Sequence, residues 1–143
     1  GFSLNAQFSW VADRWMFNND RFFEESNGLY TVYNQSRRLL YDRWKKPGDV
    51  TDIPRYGITP QMDSRFLEDA SFLRLKNLTL GYAVPQNWLE KTHFFDSARI
   101  YVQGQNLLTF TKFSGIDPES SSNIYAAQYP MSRQFTLGIE LSF

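Results

Sequence analysis

Side chains able to perform covalent or metal chemistry are few in this sequence. The 143 residues include one histidine, His93, and no cysteine. A single histidine builds neither a histidine-based metal site nor a Ser-His-Asp triad without distant partners. The pairs Glu68/Asp69 and Asp117/Glu119 are candidates for a Ca²⁺ site or for acid–base work, but neighbouring carboxylates in polar segments are usually solvated. The sequence also lacks a phosphate-binding loop, a GxSxG elbow and an HExxH helix. It therefore predicts no enzyme, no cofactor and no metal site.

Binding is better supported than catalysis, because aromatic and polar side chains are abundant. Aromatic residues make up 17% of the chain, and 15 basic side chains balance 15 acidic ones. A chain without net charge gives no electrostatic reason to expect a nucleic-acid partner. The mean hydropathy is −0.47, and no run approaches the ~18 apolar residues of a membrane-spanning helix. Short alternating segments in such a chain suit either a soluble β-protein or a membrane β-barrel.

Four segments alternate between apolar and polar residues, which is typical of β-strands. They are residues 1–10, 71–84, 98–112 and 133–143. Within residues 71–84 the apolar positions change from odd to even numbers, so we predict a β-bulge near Asn77. The alternation places one apolar and one polar face on each strand. The sequence therefore predicts an all-β, antiparallel sheet.

The connections between these strands are unequal in length. Residues 12–70 and 113–132 are long polar loops, whereas residues 85–97 form a shorter turn. We predict one short helix in the first loop, within residues 29–44, because apolar side chains recur on one side and a Pro-Gly pair follows. Transmembrane barrels show the same asymmetry, with short periplasmic turns and long extracellular loops.

The dimensions of the predicted strands fit a barrel wall. A strand of about eleven residues at ~3.3 Å each, tilted by ~40°, rises about 28 Å, close to the hydrocarbon thickness of a bilayer. A terminal aromatic residue such as Phe143 suits the membrane interface. Since the alternation already begins at Gly1, we also expect an upstream part to be missing. A soluble β-sandwich with one hydrated face would produce the same alternation, so the pattern leaves both architectures open.

Four separate stretches of the sequence give a more specific indication of the protein's family. They closely resemble the C-terminal end of SusC/RagA-type TonB-dependent transporters, appear in the family's order, and cover residues 51–143 better than residues 1–50. The stretches are TDIPRY (51–56), FLEDASFLRLKNLTLGYAVP (66–85), RIYVQGQNLLTFTKFSGIDPE (99–119) and YPMSRQFTLGIELSF (129–143).

The resemblance implies a large assembly. Such transporters are 22-stranded barrels that are filled by an N-terminal plug domain and import oligosaccharides or peptides across the outer membrane of Gram-negative bacteria. A SusD-like lipoprotein caps the barrel, and the TonB complex delivers energy through the N-terminal part. Residues 1–143 would then be the C-terminal segment of the barrel domain, with the last wall strands and long extracellular loops. The plug and most of the barrel would be absent, while the remainder of the same barrel and outer-membrane lipid would surround the segment.

The last strand also resembles the terminal signal by which outer-membrane barrels are recognised for insertion. The matching positions are Thr136, Gly138, Leu141 and Phe143. By the same resemblance, two sets of aromatic residues would lie in the girdles at the membrane boundaries. The outer set is Phe110, Phe113 and Tyr129, and the inner set is Tyr82, Trp88, Phe94 and Phe143.

Aromatic residues of the long loops are the candidate contacts for a ligand or for the lipoprotein lid, since sugars and peptides are commonly held by ring faces. The alternative for each ring is that it packs the loops together. These candidates are Trp15, Trp44, Tyr56, Tyr125 and Tyr129. Two other functions stay open at this stage, a soluble β-sandwich that binds glycans and a passive outer-membrane pore.

Overall fold

Two units make up the chain in the computed structural model, which describes residues 1–91 and 94–143. Predictions about His93 therefore fall outside the described residues. The sheet unit comprises residues 1–12, 72–111 and 131–143, and the loop unit comprises residues 13–71 and 112–130. The strands of the described residues are β1 (Phe2–Val11), β2 (Trp15–Asn18), β3 (Leu67–Asp69), β4 (Phe72–Ala83), β5 (Ser97–Thr111), β6 (Ile124–Tyr125) and β7 (Gln134–Ser142).

The sheet unit is a four-stranded antiparallel sheet in the order β1-β4-β5-β7. Its strands agree with the four predicted segments to within about two residues at each end, as expected for strand boundaries. The strands pair in chain order with their nearest predicted neighbours, which is typical of an antiparallel meander. The two outer strands, β1 and β7, each pair on one edge within this chain, so the sheet is open.

A β-bulge at one level of the sheet explains why the apolar residues of β4 change from odd-numbered to even-numbered positions. Gln7 faces Asn77 and Phe8 faces Leu75, so β4 carries one extra residue, Lys76, at this level. The predicted β-bulge near Asn77 is therefore confirmed. On the other side, Leu75 faces Leu108 and Asn77 faces Gln105, so two residues of β5, Asn106 and Leu107, lie opposite the single residue Lys76 of β4. At this level β5 therefore carries two more residues than β1. One inserted residue moves every later side chain of β4 to the opposite face, whereas two inserted residues leave the later side chains of β5 on their original faces.

The loop unit contains a second sheet that the sequence pattern did not reveal. Its order is β3-β2-β6, with β3 antiparallel and β6 parallel to β2. Residues 12–70 and 113–132 are therefore partly regular structure, rather than loops throughout. These strands are two to four residues long, and period-two alternation cannot be recognised over so few positions.

Short helices connect the strands. The described helices are α1 (Asn19–Glu24), α2 (Arg38–Tyr41) and α3 (Gln86–Leu89), with a 3₁₀ turn at Ser64–Phe66. None of the helices in the described part of the chain is long and apolar enough to cross a membrane.

The helix predicted within residues 29–44 is present only as α2. Upstream of α2, the side chain of Gln35 donates to the carbonyl oxygens of Tyr30 and Tyr33, both at 3.3 Å. In a continuous helix those carbonyls would accept backbone N–H groups four residues later. The helix therefore cannot extend back through this stretch in the observed conformation. The longer helix α1 was not predicted.

A small aromatic core holds the loop unit together. Met16, Ala70, Phe113 and Tyr125 form one buried cluster, and the rings of Phe113 and Tyr125 meet edge to face with centroids 5.0 Å apart. Such pairs contribute roughly 0.5–1.5 kcal/mol beyond their burial. Phe113 was expected in the outer aromatic girdle, and that prediction is wrong, because its ring is buried inside this core.

Candidate functional site

The apolar side chains of the sheet unit point away from any core. Phe135, Leu137 and Ile139 of β7 are 75%, 72% and 63% exposed. Because the strands are in register, equivalent residues of β1, β4 and β5 continue the same rows across the sheet. The rows are Phe2-Tyr82-Ile100-Ile139, Leu4-Leu80-Val102-Leu137, Ala6-Leu78-Gly104-Phe135, Phe8-Leu75-Leu108 and Trp10-Leu73-Phe110.

The described residues supply no second sheet to cover this exposed apolar face, as a soluble β-sandwich would need. A sandwich buries the apolar faces of two sheets against each other. Here the described residues leave this face uncovered over its whole width. Contiguous apolar surface of this extent indicates contact with a partner or with lipid.

The opposite face of the sheet is polar and uncharged at its centre. Gln7, Asn77, Gln105 and Gln134 lie directly opposite one another across all four strands. The Asn77 amide donates to Gln7 Oε1 over 2.6 Å, which ties two of these carboxamides together. Each carboxamide offers both donors and acceptors. This row can therefore hydrogen-bond sugars, peptide groups or other protein segments without selecting for charge.

The four positions of the terminal motif are distributed over both faces of β7. Thr136 faces Gln103 and Gly138 faces Tyr101 on the polar side, whereas Leu141 lies on the apolar side. Phe143 is exposed and its ring stacks on Phe94 with centroids 6.4 Å apart. These placements are compatible with recognition of the strand end, but their role in insertion stays a prediction.

The loop unit holds a network of ion pairs around a buried carboxylate. Glu25 is 1% exposed, and its Oε1 atom accepts from Arg21 Nε at 3.0 Å and from an Arg38 terminal nitrogen at 2.8 Å. Asp52 joins the same two arginines, at 3.3 Å from Arg21 and 2.8 Å from Arg38. Glu68 accepts from Arg21 at 3.1 Å. Arg65 also lies 4.0 Å from Glu25, and Asp42 lies 3.7 Å from Arg38. Three arginines and four carboxylates thus form one network, which compensates the cost of burying Glu25.

Local structure positions each member of this network. Asn18 caps the N-terminus of helix α1, and its side-chain oxygen accepts the Arg21 N–H at 3.0 Å. Arg21 and Glu25 then meet at the i,i+4 spacing on one side of that helix. Arg38 comes from α2 and Glu68 from β3. The network therefore connects α1, α2 and the smaller sheet.

Glu68 is an ion-pair and hydrogen-bonding residue, rather than half of a carboxylate pair with Asp69. Burial alone would raise the pKa of Glu68, but hydrogen bonds from the backbone and hydroxyl of Ser114 and from Arg21 outweigh burial and lower it. Both Ser114 bonds are 2.9 Å long. Among the described residues, no group of three or more His, Cys, Asp or Glu side chains is arranged to hold a metal ion.

A lowered carboxyl pKa makes the stability of the loop unit depend on pH. Protonation of Glu68 is less favourable in the folded than in the unfolded state, so its contribution is present above the ordinary glutamate pKa of 4.5 and is lost as the pH falls through the lowered value. We expect Glu68→Gln to remove this part of the pH dependence, while the part due to Asp52, whose pKa is also lowered, remains.

Hydrogen exchange of loop-unit amides, corrected for intrinsic rates and followed from about pH 6 to about pH 3 in the full-length protein, measures this difference. If protection in the Glu68→Gln variant falls as steeply with acid as in the unchanged protein, Glu68 is not the titrating group.

A polar cavity of 440 Å³ lies beside the network within the loop unit. Side chains from α1 and α2 line it together with the backbone around Gly115. Both guanidinium groups at this cavity are already bound to carboxylates, and Asp20 and Glu24 also line it, so it offers a hydrogen-bonding surface with no unpaired positive charge. The lining residues that the network supplies are Arg21, Glu25 and Arg38.

The five aromatic candidates occupy different environments. Trp15, Tyr56 and Tyr129 are 53%, 60% and 95% exposed, so their rings are accessible to a ligand or a partner. Trp44 is half-buried. Tyr125 is fully buried, and its hydroxyl oxygen accepts the Ile116 N–H at 3.0 Å. Tyr125 is therefore a core residue in this structure and offers no ring face for binding.

Sequence reasoning missed the ion network, although it considered one of its carboxylates as a candidate. Glu68 was noted as an acidic residue beside Asp69. The i,i+4 spacing of Arg21 and Glu25 was a usable signal, but it required prediction of α1. The contacts of Glu68 with Arg21 and Ser114 join positions 47 and 46 residues apart, and no local pattern indicates such contacts.

Comparisons with known proteins identify relatives of this fold and these surfaces. No family model matches the chain. The TonB-dependent receptor P3 of Formosa agariphila is 38% identical over 117 residues, which cover 73% of this chain and 12% of the receptor. The TonB-dependent receptor SusC of Bacteroides thetaiotaomicron is 40% identical over 82 residues, or 57% of this chain and 8% of SusC.

A solved structure of the RagAB peptide transporter superposes on the whole chain. The TM-score is 0.91 at 44% sequence identity, and the match covers 100% of this chain and 16% of that chain. The chain thus spans less than a fifth of the length of the relatives it matches. The exposed two-faced sheet corresponds to strands of the barrel in that structure. The chain belongs to the SusC/RagA-type family of TonB-dependent transporters, and it corresponds to their C-terminal part.

Proposed function

We propose that this chain is part of an importer in the outer membrane of a Gram-negative bacterium. In this proposal residues 1–143 are the C-terminal segment of a β-barrel domain, and the plug and most of the wall are supplied by the remainder of the same protein. The observation that carries the proposal is the set of exposed apolar rows in register across β1, β4, β5 and β7. A wall strand needs lipid on one face and the lumen on the other.

The open edges of the sheet support the same proposal. β1 and β7 each leave one edge without a partner strand in this chain. Unpaired backbone groups are costly in hydrocarbon, because no water is present to bind them. We therefore expect both edges to pair with other strands of the same barrel. The apolar face then contacts outer-membrane lipid, and the carboxamide row of Gln7, Asn77, Gln105 and Gln134 faces the interior.

Membership of the family supports a proposal for the partners and the energy source. We propose that a SusD-like lipoprotein covers the extracellular end and that the TonB complex energises import through an N-terminal part. The relatives named TonB-dependent receptors and the RagAB structure, which is described as a peptide transporter, support this assignment. These relatives are receptors and transporters, so we expect no enzymatic activity.

The cargo we propose is an oligosaccharide or a peptide. The interior row of neutral carboxamides binds either class by hydrogen bonds. In the loop unit, the exposed rings of Trp15, Tyr56 and Tyr129 are the proposed contacts with ligand or lid. The positions Thr136, Gly138, Leu141 and Phe143 are proposed as the signal for barrel insertion.

Transport by the full-length protein tests the proposal. Cells that express it are given fluorescent peptides and, separately, labelled oligosaccharides, with and without an uncoupler that dissipates the proton gradient. We expect uptake of one class that stops when the gradient is lost. Uptake that continues unchanged after uncoupling would instead indicate a passive pore, and recovery of the protein in the aqueous fraction without detergent would indicate a soluble binding module.

A further inference from the structure

One residue row on the polar face of the sheet unit alternates between glycine and a large ring. Ser3, Gly81, Tyr101 and Gly138 lie opposite one another on β1, β4, β5 and β7. Tyr101 is therefore flanked by a glycine on each neighbouring strand. Glycine weakens a strand, and its presence within one often marks the close approach of another group.

The ring of Tyr101 occupies the space above Gly138. A Cβ atom placed on Gly138 would overlap the Tyr101 ring, with atom Cε1 only 2.5 Å away. The obstruction is a rigid ring on a half-buried residue rather than the end of a flexible side chain. The guanidinium of Arg99 lies 5.7 Å from the centre of the same ring, and Arg99 also pairs with Glu140 at 3.3 Å. These contacts hold the ring down on the terminal strand.

Only one register of β7 accommodates this arrangement. The other polar-face positions of β7 all carry a side chain; they are Gln134, Thr136, Glu140 and Ser142. A shift of β7 by two residues keeps the correct face but places Thr136 or Glu140 beneath the ring. A shift by one residue turns the apolar side chains towards the interior. The ring of Tyr101 therefore discriminates among the registers that hydrophobicity alone would permit.

We propose that Tyr101 and Gly138 form a knob-and-hole pair that selects the pairing register of β7 on β5 when the barrel assembles. In the folded sheet, the absence of a side chain at Gly138 leaves room for the Tyr101 ring. This role is additional to any role of Gly138 in the terminal motif. Tyr101 is a positioning residue for barrel assembly. This inference concerns assembly and does not depend on which cargo the protein carries.

Register can be measured in the full-length protein by disulfide trapping. Gln105 and Gln134 are opposite one another in the observed register, so the pair Gln105→Cys/Gln134→Cys reports correct pairing. The pair Gln103→Cys/Gln134→Cys becomes opposite after a shift of two residues. Each cysteine pair is combined with Gly138→Ala, with Tyr101→Ala, and with both substitutions together. The fraction of heat-modifiable, folded barrel is recorded for every variant.

We expect Gly138→Ala to lower the in-register disulfide relative to the shifted one by roughly tenfold, because the added methyl group cannot fit under the ring. In a Tyr101→Ala background the same substitution should have little effect, since the ring is gone. Gly81→Ala is the matched control. A Cβ there meets the flexible ends of Ser3 and Arg99 at 2.7 and 3.0 Å, so we expect the register to be retained.

An equal effect of Gly138→Ala with and without the Tyr101 ring would overturn the proposal and assign Gly138 to motif recognition alone. Where Gly138→Ala yields no folded barrel, the comparison of Tyr101→Phe with Tyr101→Ala decides. Tyr101→Phe keeps the ring and should pair in register, whereas Tyr101→Ala should give both disulfides. Indistinguishable disulfide patterns in these two variants would also refute the role of the ring.

Discussion

Replacing Leu80 with arginine should destabilise the barrel of the full-length protein by up to about 2–4 kcal/mol, the cost of a cation on the lipid face at the bilayer midplane. Leu80 is 51% exposed in this chain and lies in the apolar row that continues through Leu4, Val102 and Leu137. A guanidinium at this depth loses its hydration and has no counter-charge among the neighbouring side chains of its row. Urea unfolding of the protein in lipid vesicles, followed by heat-modifiable migration, measures the change.

The neighbouring residue provides a matched control. Thr79 lies on the opposite face of β4, between Asn5 and Gln103, so Thr79→Arg places the same charge in the interior and should cost much less. Leu80→Ala separates the loss of a side chain from the gain of a charge. If the two arginine variants unfold at the same urea concentration, the assignment of the two faces is wrong.

The second large effect is expected from Glu25→Ala in the loop unit. Hydrogen bonds to charged groups contribute roughly 1.5–3 kcal/mol each. Because Asp52 and Glu68 still pair with the arginines, we expect a loss of about that size rather than the full cost of an uncompensated buried charge. Here Arg21 and Arg38 would lose the carboxylate oxygen that they share at 3.0 and 2.8 Å. The result should be local opening of the loop unit without loss of the barrel. Trypsin added to intact cells should therefore cleave the loop unit faster in this variant.

The adjacent Glu24 is exposed and serves as the control for this experiment. Glu24→Ala removes the same charge from the same helix but leaves the network intact, so we expect cleavage at the unchanged rate. Equal cleavage of the two variants would show that the network contributes nothing to the stability of the loop unit. Loss of the folded barrel in Glu25→Ala would show that its effect is not local.

The sheet unit was predictable because apolar and polar residues alternate along each of its strands. Phe135, Leu137 and Ile139 alternate with polar residues, and the same period occurs in each of the four wall segments. Even the bulge at Lys76 was detectable, since an insertion must change the parity of every later residue. The alternation could not decide whether lipid or a second layer of protein covers the apolar face. The exposure of those residues and the similarity to RagAB settled the architecture as part of a barrel.

The loop unit resisted prediction because its order depends on contacts between distant residues. β2 pairs with β3 and β6 across large sequence separations, and each of these strands is too short to show a period. Phe113 lies two residues after the end of β5 at Thr111, which made a girdle position reasonable. Its ring instead packs against Tyr125 in the core of the loop unit. Of the candidate site, the exposed rings of Trp15, Tyr56 and Tyr129 could be selected by residue type, whereas the charge network required the three-dimensional structure.

The unequal bulges of β4 and β5 affect how this region tolerates changes in chain length. Deleting the single additional residue Lys76 would reverse the orientation of one half of β4 relative to the other half and would place leucines on the polar face of the sheet. Removing Asn106 and Leu107 together would leave both halves of β5 oriented as before. On either strand, a change in length at this level therefore keeps the apolar and polar faces aligned only when it adds or removes an even number of residues.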